Sequence, residues 1–201
     1  MTDHMQTIRD DLAYLRALAE EGREGGERGG AFGVAAGVIF AACSVVQWAA
    51  LTGRVPPAVS NGVWIGGTLL FFVTLVVLKR RLGPVTGRGR AASVAWQGVG
   101  WACFTLFAAL AVATWRTQSM LIVSFAPSII LALYGAAWTA AAAVAGKSWM
   151  KLMAAGSFVG AVICAWFIAD PVQYLIYALG LLLLAALPGG LMMRQEGASE
   201  V

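Results

Sequence analysis

Catalysis and metal binding need groups that exchange protons, attack a bond or ligate an ion, and this sequence is sparing with them. It has a single histidine, His4, close to the N terminus and far in sequence from any apolar stretch, where a solvated side chain is expected. Its three cysteines, Cys43, Cys103 and Cys164, each fall inside an apolar stretch. That is the usual setting of a small buried hydrophobe and a poor one for a disulfide framework. No group of His, Cys and carboxylate residues has metal-ligand spacing. The sequence therefore predicts neither an enzyme nor a bound cofactor.

A few polar residues remain as candidates. Asp170 invites a proton-relay or cation-site reading, with Arg54 and Arg116 as charges on the same surface. Its place directly before Pro171 favours the plainer reading of a helix cap. Gln47 and Gln97 carry more information, because an amide in an apolar setting must find partners. With Ser128 and Tyr134 they make a candidate polar pocket. The competing reading gives each amide to the backbone of a neighbouring helix.

The elements that hold these residues follow from composition. The chain has 201 residues, 60% hydrophobic and only 12% charged, whereas soluble domains carry about 25% charged residues. A bilayer span takes roughly 20 apolar residues, and six apolar windows are found: 31–51, 61–78, 91–114, 120–145, 148–169 and 171–192. The predicted fold is all-α, a polytopic membrane protein built as a bundle of six transmembrane helices preceded by a short cytosolic amphipathic helix. The last two segments leave so little connection at Ala169, Asp170 and Pro171 that spans five and six are expected to be antiparallel neighbours. Pro127 should kink the fourth span or close a short turn before it. Pro188, Gly189 and Gly190 should bend or end the sixth.

Four regions result: an amphipathic helix over 1–21, a Gly-rich linker over 22–30, the six-helix domain over 31–193 and a tail over 194–201. In the first, Met5, Ile8, Leu12 and Leu15 recur at helical spacing along one face, and Arg9, Asp10, Arg16, Glu20 and Glu21 occupy the other. A stripe of under three heptads is marginal alone and needs a partner surface. The linker has five glycines in nine residues, which makes a loose tether.

Twelve of the 14 basic residues fall in the N-terminal arm, the 79–90 connection, Lys147, Lys151 and Arg194. Only Arg54 and Arg116 lie on the other side. Basic residues stay on the cytoplasmic side of short loops, so both termini are expected in the cytoplasm, which requires an even number of spans. Trp48, Trp64, Trp115 and Trp166 fall near the outer span ends, as ring side chains at a headgroup layer would. Trp149 falls at the inner boundary, and Trp101 and Trp138 lie deeper, as packing residues. No early apolar core precedes a cleavage site, so the first span is expected to act as an uncleaved insertion signal. Stretches such as residues 10–16 and 186–190 resemble bacterial inner-membrane proteins, a likeness that implies a location and no activity.

The net charge of +4 is spread over connections between apolar segments, so nucleic acid is not expected as a partner. Lys79, Arg80, Arg81, Arg88 and Arg90 suit contact with anionic lipid headgroups. Gly33 and Gly37, Gly62 and Gly66, and Gly156 and Gly160 permit close helix packing, within the chain first and in a homo-oligomer second. Two functions fit. One is a non-enzymatic anchor, sensor or regulatory subunit whose residues 2–21 bind a cytosolic or membrane protein. The other is a small oligomeric transporter or channel for a neutral or lipophilic solute.

Overall fold

The computed structural model describes residues 29–82 and 88–198, with all regular structure among them helical. The predicted helix over 2–21, residues 22–28 of its linker and residues 83–87 of the basic connection lie outside the described residues. The helices are α1 (Gly30–Leu51), α2 (Ala58–Leu82), α3 (Arg88–Thr117), α4 (Ala126–Ala145), α5 (Ser148–Trp166), α6 (Val172–Leu181) and α7 (Leu187–Ala198). A 3-10 turn, Val123–Phe125, leads into α4, and a π-helical segment, Leu182–Ala186, joins α6 to α7. Together α6, the π segment and the first part of α7 make one continuous span. Six spans are thus long and apolar enough to cross a membrane.

The prolines explain two of these boundaries. Pro127 stands in the first turn of α4, where its missing N–H costs nothing, so the fourth span starts after a short turn and is not kinked. Pro188 is different. The sixth helix neither ends at Pro188-Gly189-Gly190 nor breaks there, but changes pitch just before, with the Leu187 N–H reaching back to the Leu182 carbonyl. An α-helix needs the N–H of residue 188 for the carbonyl of Leu184, and proline cannot supply it. Loosening one turn to π geometry is a known way to absorb such a defect. At the far end of α4, Gly146 adopts φ 69° and donates its N–H to the Ala142 carbonyl, closing the helix in a left-handed cap.

Burial separates the spans into two classes. The windows of α1, α4 and the α6–α7 span are 39%, 44% and 39% buried, and that of α5 is 22% buried. Those of α2 and α3 are only 6% buried. Four spans thus make the packed body, with α4 on α5 and α1 on α6 and α7, while α2 lies against α1 and α3 against α4 on its flank. The apolar spacing of α3 shows how: Trp96, Val99, Cys103, Leu106 and Leu110, at alternating three- and four-residue steps, pack against the core around Leu131, Tyr134, Tyr177 and Leu181.

Small residues set the closest contacts. A Cβ built on Gly30 would stand 2.5 Å from the Gly189 carbonyl oxygen, and one on Gly37 would stand 2.6 Å from the Ala186 amide nitrogen. A Cβ on Gly33 would stand 3.1 Å from the Ala185 carbonyl oxygen. The backbone of α1 thus lies directly on that of the π segment and α7, as small residues allow in apolar surroundings. Gly160 and Gly156 are packed by Leu131 and Leu184. Gly62 and Gly66 have nothing within 4 Å, because α2 turns Ser60, Trp64 and Gly67 toward α1, and the Gly67 position meets the Cys43 sulfur.

These distances predict a contrast. Gly37→Ala forces a methyl group into the Ala186 backbone and should lower stability by about 1 to 3 kcal/mol, the usual cost of overpacking. Gly66→Ala meets open space and should leave the thermal midpoint unchanged or slightly raised. Thermal unfolding of both variants in one detergent, side by side with the unaltered chain, reads the difference.

Candidate functional site

In apolar surroundings the position of each polar side chain is set by what it can bond to. Ser44 and Ser157, both fully buried, bond within their own helices to the carbonyls of Phe40 at 2.7 Å and Met153 at 2.8 Å. Thr74 and Thr139 do the same to Leu70 and Gly135, each at 2.8 Å. Such back-bonding uses the one proton of each hydroxyl and leaves no donor for a ligand.

The four residues of the candidate pocket take separate places. The Gln47 side-chain oxygen receives hydrogen bonds from the Ser60 hydroxyl and, at 3.0 Å, from the Trp64 indole N–H. It therefore joins α1 to α2 through side chains and not through a neighbouring backbone. Gln97 is exposed on α3, one residue round from the inward Trp96. Tyr134 is buried, with its ring edge-on to Trp96 at 5.5 Å. Ser128 lies near the start of α4, and its hydroxyl oxygen is buried without a hydrogen-bond partner.

The three surface charges are likewise committed one by one. The Arg54 guanidinium lies over the Trp48 ring, 4.2 Å from its centroid, a cation–π arrangement. The Asp170 carboxylate accepts the Val172 N–H at 2.8 Å, satisfying one of the open amides at the start of α6. Arg116 is exposed in the last turn of α3. Lys79, Arg80 and Arg81 form the last turn of α2 and are exposed, with the backbone of Arg88 and Arg90 in the first turn of α3. The positions of Met5, Ile8, Leu12 and Leu15 fall outside the described residues.

Two residues outside that candidate pocket bind the core together. Gln173 is fully buried, and its side-chain N–H groups donate to the carbonyls of Ser124 at 2.8 Å and Cys164 at 3.0 Å. A single amide thus holds the entry to α4, the end of α5 and the start of α6. Its own carbonyl oxygen has no partner. A sequence signal for it exists: Gln173, Tyr177 and Leu181 repeat at four-residue steps, which puts the amide on the inward stripe of α6.

Trp138 is the second. Buried to 3% exposure, it donates its indole N–H to the Leu184 carbonyl at 2.9 Å. That carbonyl is the one Pro188 deprives of its helical donor, so α4 repairs from outside a gap in the sixth span. Neighbouring rings hold the indole in place, Trp96 edge-on at 5.2 Å and Trp149 tilted at 5.7 Å. Trp101, by contrast, is 72% exposed on the outer side of α3.

Among the described residues no group of three or more His, Cys, Asp or Glu could hold a metal ion. No protein-family model matches the chain, and neither does any curated protein or solved structure.

Trp138→Phe keeps the ring packing and removes the donor. It should cost about 1 to 3 kcal/mol, the range for leaving a buried carbonyl unpaired. Trp101→Phe should have little effect. Equal thermal midpoints for the two variants in detergent would sink the account of the Leu184 carbonyl.

Proposed function

We propose that the protein is a non-enzymatic, multi-pass component of a bacterial inner membrane, an anchor or regulatory subunit that presents residues 2–21 to a partner protein. Both termini lie in the cytoplasm in this reading, on the strength of the twelve basic residues gathered on that side. The observation that carries it is the seating of α1. Residues 2–21 join, through the Gly-rich linker, to a helix whose first residue lies in backbone contact with Gly189 of α7. The start of α1 is thus seated in a close backbone seam with the π segment and α7. A partner held by Met5, Ile8, Leu12 and Leu15 is fixed to a rigid body, and the linker sets how far it can move. Lys79, Arg80, Arg81, Arg88 and Arg90 would rest on anionic headgroups on the same side, each basic residue contributing about 1 kcal/mol.

A second reading is favoured by the unpaired oxygens of Gln173, Ser128 and Thr114. Polar atoms without partners inside a bundle suit passage of a neutral solute, and with six spans such a transporter would act as a homo-oligomer. Pairing of copies would draw on the sparsely buried spans α2 and α3, where Gly62 and Gly66 are open.

Deletion of residues 2–21 separates the two. The anchor reading expects the shortened chain to insert normally and to lose the proteins that co-purify with the full chain in mild detergent. Retention of all of them would refute it. Solute flux through liposomes that contain only the purified chain would reject it in favour of transport.

A further inference from the structure

Hydroxyls inside an apolar helix ordinarily return their proton to the carbonyl four residues back. Ser44, Thr74, Thr117, Thr139 and Ser157 all do so, at 2.7 to 2.8 Å. Thr114 and Ser128 do not: each oxygen is buried and neither reaches any partner. Gln173 is in the same condition, since both of its donors are engaged and its oxygen, Oε1, is left without one.

These three orphaned atoms belong to one place. Ser128 follows Ser124 by one helical turn on the same side of the chain. Gln173 bonds to the Ser124 carbonyl itself. Thr114 is four residues beyond Leu110 in α3, and α3 packs on the 3-10 turn Val123–Phe125 that contains Ser124. The three residues therefore lie toward the same end of the bundle, opposite Gly30, near the turn that contains Ser124.

Their chemistry is complementary to one kind of occupant. Gln173 Oε1 can only accept, whereas each hydroxyl can donate or accept. A buried oxygen without a donor is costly in hydrocarbon, and a shared small molecule relieves several at once. A charge here would lack a counterion, because Asp170, three residues before Gln173, is exposed and bonded to the Val172 N–H. We propose that Gln173, Ser128 and Thr114 form a buried binding site for a single water molecule, which donates to Gln173 Oε1 and accepts from a hydroxyl. The site uses the same three oxygens as the transport reading, but it requires no transport and no partner protein.

Water itself is the probe. In the full chain, glutamine-labelled with nitrogen-15 and placed in lipid nanodiscs, magnetisation transfer from water to the Gln173 side-chain amide should be rapid despite its complete burial. Ser128→Ala combined with Thr114→Val should slow it several-fold, whereas Ser128→Thr, which keeps the hydroxyl, and Ser157→Ala, which removes one engaged within its own helix, should not. Absence of transfer in the unaltered chain overturns the proposal, whatever the variants do. So does undiminished transfer in the double variant. A Gln173 amide shift that follows sodium concentration, with choline as the substitute, would assign the site to a cation and likewise overturn it.

Discussion

Hydrocarbon offers no hydrogen bonds, so every backbone polar group inside a span has to be satisfied by the protein. Five of the six spans meet this by being helical. The sixth has Pro188, which lacks the N–H an α-helix would give to the Leu184 carbonyl. The helix loosens into π geometry over Leu182–Ala186, and the buried Leu184 carbonyl accepts from the Trp138 indole of α4. Trp96 and Trp149 in turn hold that indole. Around one proline, side chains of α3, α4 and α5 are thus linked to the last span.

The same irregular segment is where α1 comes closest. A wider π turn displaces the backbone of the sixth span sideways, and only residues with little or no side chain can face it. Gly33 and Gly37 stand opposite Ala185 and Ala186, with Gly30 opposite Gly189. Small residues on α1 are therefore matched to a feature of the sixth span, beyond the general tolerance of close packing. This is why α1 belongs to the packed body although it is the first span in the chain, whereas α2 and α3, without such contacts, lie on the flank.

The six spans were legible because apolar run length is a local property. Which face of each span turns inward was legible where the stripe is regular, as along Trp96, Val99, Cys103, Leu106 and Leu110. The polar residues were harder to place. Gln97 stands in mid-sequence of an apolar window and draws notice, yet it is exposed one residue away from that stripe. Gln173 sits at a window's edge, where an amide is unremarkable, yet it is the one that ties three elements together. Window position misleads here and stripe position does not. The partner of Trp138 lies 46 residues away and owes its availability to Pro188, so no local pattern contains it. The glycines of α2 make the same point: Gly62 and Gly66 have the spacing of a packing motif, but Gly67 is the one that faces α1, because Trp64 and Ser60 commit the helix to Gln47.

The two ends of the body are held by different means, and the difference follows from which groups each end has available. Toward Gly30, backbone lies on backbone, and shape alone sets the fit. Toward Gln173, the fit depends on directional bonds from one amide, beside hydroxyls that their own helices do not use. Contacts of shape resist any change in separation, since even a methyl group has no room. Hydrogen bonds of a lone amide fix direction while tolerating exchange of one acceptor for another. The Gly30–Gly189 seam is therefore set by shape and the Gln173 end by bond direction.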